Sequence, residues 1–152
     1  MTDSMSGSTT KAAAEWLMSA APDPLTCRRE WEDNPYATVL LPAGRRWDVL
    51  LVPGRLGYPA FDVLTRRVHD PGPVLADVGG TRTAFFVPPG QANPRTGSGI
   101  RGAGSGTWIA VPQPGRTTDG MRWLVPPDGT GTLNDPALLD DVLAEAAARQ
   151  LP

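Results

Sequence analysis

Proline and glycine set the limits on what this chain can fold into. Together they account for 34 of its 152 residues, and they cut the apolar sequence into short pieces. Thr38–Leu41 stops at Pro42, Asp48–Val52 at Pro53-Gly54, Thr81–Val87 at Pro88-Pro89-Gly90, Trp108–Val111 at Pro112 and Met121–Val125 at Pro126-Pro127. Glycine loses the most freedom on ordering and proline cannot donate to a ladder, so each pair ends an element. Runs this short and bounded this way read as strands, and a helical bundle is excluded.

The chain in order predicts an α+β domain. Met1–Thr10 is polar and is expected to be a disordered tail ahead of a single domain over 11–152. Lys11–Ala21 reads as an alanine-rich helix that buries Trp16 and Leu17 and stops before Pro22. Asp23-Pro24 is a cap followed by a first-turn proline, opening a helix to about Asp33 in which Cys27 and Trp31 share one face. Thr38–Leu41 and Asp48–Val52 are a strand, a turn and a strand. Tyr58–Val68 spaces Phe61, Leu64, Thr65 and Val68 as a crossover helix. Pro73–Val78 and Thr81–Val87 form a hairpin turning at Gly79-Gly80. Trp108–Val111 and Met121–Val125 are expected to make a second strand pair. Asn134-Asp135-Pro136 starts a closing helix, Ala137–Leu151, with Leu138, Leu139, Val142 and Leu143 inward. N-terminal helices, mostly antiparallel short strands, one crossover helix and a C-terminal helix make a two-layer α+β fold.

The net charge of −2 excludes a polycation, but the charge is unevenly placed. Arg82–Arg122 holds five arginines and one acid, Asp119, whereas the chain from Asp128 onward holds five acids against Arg149. The basic stretch centres on Arg95–Pro112, where five of the first twelve residues are glycine. Arg95, Arg101, Ser98, Ser105 and Thr107 are the kinds of group that contact phosphates. A plain flexible hairpin loop is the alternative reading of the same residues. Trp108, directly after this loop, is a candidate stacking platform for a base. Core or half-core packing is the main expectation for all five tryptophans, Trp16, Trp31, Trp47, Trp108 and Trp123.

Several chemistries are excluded. Gly97, Gly99 and Gly102 spell G-x-G-x-x-G, but they lead into an extended run instead of a helix, so a dinucleotide site does not follow. A Walker loop fails for want of a lysine. His69, the single histidine, sits beside Asp70 at a helix end and suits that terminus better than a triad. Cys27, the single cysteine, excludes disulfides and cysteine metal clusters. No run is long enough to span a membrane, and no secretory pattern opens the chain, so a cytoplasmic location is expected. Two-metal phosphoryl transfer needs converging carboxylates. Asp48 stands alone on its strand, Asp77 stands alone near a hairpin tip, and Glu30 and Glu32 diverge on a helix.

Over about Lys11–Pro127 the chain resembles the N-terminal domain of bifunctional DNA primase-polymerases, the prim-pol branch of the archaeo-eukaryotic primase superfamily. The resemblance lies in Glu30-Trp31 with Asn34-Pro35, in the strand Asp48–Pro53, in Gly79-Gly80-Thr81-Arg82-Thr83-Ala84-Phe85-Phe86 and in Ile100–Pro112. It implies that Leu51 and Pro53 stand where the family carries two metal-binding acids on its first strand. Arg82 stands at the nucleotide-contacting histidine and Gly99 at the third acid. Losing all three carboxylates removes the oxygens a hard divalent cation requires. No metal, no cofactor and no catalytic residue is therefore expected, with Asp48 and Asp77 the only weak catalytic candidates.

Three readings follow. The first is a non-catalytic domain binding single-stranded DNA or a nucleotide through an arginine-lined cleft made by Arg82, Arg95, Arg101 and Arg116, with Trp108. The second is a protein-interaction module that kept the fold. The third is an active polymerase with rearranged acids, Asp48 with Asp77. The first requires that the Gly79 hairpin and the Trp108 strand share a groove.

Overall fold

A computed structural model describes residues 2–77, 81–92, 99–116, 118 and 120–150, with side chains from Thr10 onward. The elements are α1 (Thr2–Met18), α2 (Pro24–Asp33), β1 (Thr38–Pro42), β2 (Asp48–Pro53), α3 (Gly54–Arg67), β3 (Val74–Asp77), β4 (Arg82–Val87), β5 (Arg101–Ala103), β6 (Trp108–Pro112), β7 (Met121–Val125) and α4 (Pro136–Arg149). The fold is α+β, with short antiparallel strands as expected. Five strands form a central sheet in the order β5-β2-β4-β3-β7, and β1 and β6 form a separate two-stranded sheet. β2 and β3 both run antiparallel to β4 between them, so they are parallel to each other, and α3 is the crossover joining them.

Alternation along the strands divides the core in two. Leu50, Val52, Phe85, Val87 and Val74 face α3 and α4, where they meet Ala60, Val63, Leu64, Leu139, Val142 and Leu143. Val49, Ala84, Phe86 and Leu75 point the other way, into a cluster with Leu17, Trp31, Leu41, Trp47 and Val111. To the sheet and its α3–α4 layer the chain thus adds α1, α2 and the small sheet on the opposite face. Trp47, Phe86 and Trp123 stack through that second cluster, with ring centroids 4.7 and 5.5 Å apart.

Local chemistry accounts for the helix ends. Asp23 caps α2, its carboxylate accepting from the Thr26 hydroxyl at 2.7 Å, with Pro24 in the first turn. Asp135 accepts from the Ala137 N–H and Pro136 follows it at α4. The backbone of α1 is helical from Thr2 rather than from Lys11. α3 starts at Gly54, ahead of the expected Tyr58, and contains Pro59. A proline there leaves the Arg55 carbonyl, four residues earlier, without its helical donor. The Gln150 side-chain amide at the end of α4 donates to that carbonyl instead. A tertiary contact thereby repairs what the local sequence breaks. Gly57 allows α3 to lie close on the sheet, since a Cβ there would meet Thr83 Oγ1 at 1.9 Å.

Strand pairing departs from expectation at β6 and β7, which do not pair with each other; nor do β1 and β2. β1 pairs with β6, in register Leu40↔Ala110, while β7 extends the central sheet beside β3. The eight residues between β6 and β7 exceed a tight hairpin loop and impose no register, so a long-range partner prevails. Arg101–Ala103, expected as loop, is an edge strand.

Cys27 is 3% exposed, and burial, with a smaller push from Glu30, raises its thiol to about 11. At pH 8 only about one thiol in a thousand is then the reactive thiolate. Iodoacetamide at that pH is expected to leave the folded protein unlabelled by mass spectrometry over hours and to label it within minutes in denaturant. Rapid labelling of the folded protein would contradict the buried placement of α2. No helix among the described residues is long and apolar enough to cross a membrane.

Candidate anion-binding groove

β2 organises the site. Its Leu51 lies between Arg101 of β5 and Ala84 of β4, and its Pro53 lies opposite Arg82. Directly paired residues share a face, and so do residues two apart on one strand. Leu51, Pro53, Arg82, Ala84 and Arg101 therefore project from one face of the sheet, and Leu75 and Asp77 of β3 join them through the Leu75↔Ala84 pair. At the end of β2, Leu51, Pro53, Thr81, Arg82, Gly99 and Arg101 line a pocket of about 310 Å³.

A second depression of about 400 Å³ shares Leu51 and Arg82 with that pocket and runs between the central sheet and the β1–β6 sheet. Its lining is apolar at Leu40, Leu75, Ala84, Ile109 and Met121, with Trp108 on its wall. Trp108 is 52% exposed, unlike Trp31 and Trp47 in the core. The Thr81–Val87 strand of the hairpin and the Trp108 strand thus lie in different sheets and face the same groove.

The electrostatics are simple. Asp77 Oδ1 accepts from the Thr81 hydroxyl at 2.7 Å and from the Arg82 N–H at 2.8 Å, while Oδ2 accepts from Arg82 Nε at 3.3 Å. The carboxylate therefore ties the end of β3 to Thr81 and to the start of β4; the expected Gly79-Gly80 turn lies outside the described residues. Arg82 remains 61% exposed beyond its pair with Asp77. Arg101 is exposed and has no ion-pair partner among the described residues.

Other sequence candidates fall elsewhere. Asp48 does not meet Asp77. It lies five residues from Pro53, about 17 Å along the strand, and alternation turns it to the opposite face of the sheet. There it is 5% exposed and its Oδ2 accepts the Gly90 N–H at 2.9 Å. Arg116 does not join Arg82 and Arg101; its guanidinium lies 5.6 Å from the centre of the Tyr36 ring, beside a hollow with Arg28, Trp31 and Gln113. Arg95 lies outside the described residues, as does Gly97, while Gly102 lies within strand β5, which rules out the helix a dinucleotide fingerprint needs. Sequence reasoning missed the Asp77–Arg82 pair, although the two residues flank Gly79-Gly80 in the sequence. It also missed Leu40 and Met121, whose approach to the groove is purely tertiary.

A divalent cation does not fit this pocket. Its described lining offers two guanidiniums, a hydroxyl and apolar carbon, and the carboxylate paired with Arg82, that of Asp77, is already engaged by three donors. Gly99 has φ +78, and a Cβ there would meet Pro53 Cγ at 3.2 Å. Among the described residues, no three of His, Cys, Asp and Glu gather where a metal ion could sit.

A parallel β-α-β crossover with an antiparallel strand inserted, a second small sheet above it, and an open cleft at the end of the first crossover strand define an α+β domain with a ligand-sized groove. The family model described as bifunctional DNA primase/polymerase, N-terminal, matches residues 5–142, and the chain belongs to that family. No curated protein and no solved structure matches it.

Proposed function

We propose that this primase/polymerase-family domain binds single-stranded nucleic acid or a nucleotide through the groove of Arg82, Arg101 and Trp108, and performs no nucleotidyl transfer. The observation that carries the reading is the convergence of Arg82 and Arg101 on one pocket around Leu51, Pro53 and Gly99. Guanidiniums are suited to phosphate oxygens, and the adjoining apolar groove with its exposed indole is suited to a base. Phosphoryl transfer depends almost wholly on positioning and on charge stabilisation, much of it from metal ions. A pocket whose described lining carries no carboxylate lacks that component.

Binding of a fluorescent oligothymidylate, followed by anisotropy at several salt concentrations, tests this. Arg101→Ala is expected to weaken binding about tenfold at low salt and to reduce the logarithmic salt slope by about 0.7, one single-strand phosphate contact. Absence of any shift at low salt would defeat the reading. Primer extension with Mn²⁺ is expected to give no product; product that disappears in Asp77→Asn would restore a catalytic role.

A further inference from the structure

Building on that reading, we infer that the groove selects a metal-free phosphodiester strand over a nucleoside triphosphate. The charge inventory of the two depressions leads there. Their described lining contains Arg82, Arg101 and Asp77, two positive groups and one negative. Asp77 already neutralises part of Arg82 at 3.3 Å, which leaves the described lining with one net positive charge, matched to one anion. A phosphodiester brings a single negative charge per phosphate. A terminal monophosphate brings about 1.5 to 2 at neutral pH, and a triphosphate brings more again. The excess is normally balanced by a coordinated divalent cation, and here the described surface beside the two arginines is Leu51, Pro53, Thr81 and Gly99. An ion pressed against aliphatic carbon gives up water and gains no oxygen, so the metal complex of a triphosphate is disfavoured at this position.

The shape agrees with the charge. The groove with Trp108 is partly open and mostly apolar, and it shares Arg82 with the pocket that also holds Arg101. A base against Trp108 and its neighbouring phosphodiester between the two arginines satisfy both halves without a metal. Added Mg²⁺ then acts only as a competing counterion.

The full chain is titrated with a labelled oligothymidylate of about ten nucleotides, within the usual site size for one small binding domain. The titration is run in EDTA and in Mg²⁺ at matched ionic strength. Unlabelled thymidylyl dinucleotide, thymidine monophosphate and thymidine triphosphate with Mg²⁺ serve as competitors. Affinity in EDTA is expected to equal or exceed that in Mg²⁺. The dinucleotide is expected to displace the label at about tenfold lower concentration than the triphosphate. Arg82→Ala and Arg101→Ala should each weaken strand binding, and Arg82→Lys and Arg101→Lys should restore part of it. Strand binding that needs Mg²⁺, or displacement most effective with the triphosphate, overturns this inference and leaves the proposed function standing. Metal-free binding untouched by both alanine variants also overturns it, because the phosphate then sits elsewhere. No binding of any of these ligands at low salt defeats the proposed function itself.

Discussion

Reversing both charges of the groove, Arg82→Glu with Arg101→Glu, is expected to raise the dissociation constant for a single-stranded oligonucleotide by at least about a hundredfold at low salt. Each substitution removes a phosphate donor and replaces it with a group that repels the same phosphate. The two positions flank Leu51 and Pro53 on one sheet face, so the penalties fall on one ligand. Arg116→Glu is the matched control, since Arg116 lies over Tyr36, apart from the groove. It changes total charge the same way per residue, and its effect should stay within about threefold at moderate salt, where distant charges are screened. Arg82→Glu also sets a glutamate beside Asp77. The Asp77–Arg82 pair is largely exposed on the arginine side, so its loss should lower thermal stability only slightly. Circular dichroism melting of each variant separates lost binding from lost fold. Equal losses from Arg116→Glu and from the groove pair would mean that bulk charge, and not this site, attracts the strand.

Asn134→Ala is expected to damage the fold severely for a polar substitution, lowering stability by about 3 kcal/mol and the melting midpoint by about 10 °C. Asn134 is 4% exposed and binds three backbone groups with its side chain. Its Oδ1 accepts the Gly72 N–H at 2.9 Å, and its Nδ2 donates to the carbonyls of Pro73 and Phe86 at 3.0 and 3.1 Å. It therefore fastens the start of α4 to the entry of β3 and to the end of β4. Truncation leaves the Gly72 N–H buried without a partner and opens a small cavity. The two carbonyls are cushioned, because Pro73 still accepts from the Phe86 N–H and Phe86 from the Asn134 N–H. Asn134→Leu fills the space but not the hydrogen bonds, so it should recover only part of the loss. Full recovery in the leucine variant would show that volume, not backbone satisfaction, is what this residue supplies.

Where the cause was local, the sequence could be read well. Asp23-Pro24 and Asp135-Pro136 mark helix starts through short-range capping, and the structure places α2 and α4 there. Asp48–Val52 and Thr81–Val87 become β2 and β4 because β-rich runs between proline and glycine have few alternatives. The positions assigned by resemblance, Leu51, Pro53, Arg82 and Gly99, do line one pocket. Asp48 and Asp77 looked equally eligible as strand-borne acids. Only sheet register shows that pleating sends Asp48 to the opposite face, while Asp77 clasps Arg82. Arg116 counted as one more cation of the basic stretch, yet the chain between β6 and β7 carries it toward α2 and Tyr36.

By itself the sequence determined the α+β character, most element positions and the family. All of these depend on residues near one another in the chain or on motif identity. The tertiary structure alone decided that β6 pairs with β1 while β7 pairs with β3, and so that a groove opens between two sheets with Trp108 on its wall. It alone brought Arg101 beside Leu51 and kept Arg116 away. Such pairings are settled by competition among distant strands for hydrogen bonds and apolar cover, which no short window of sequence contains.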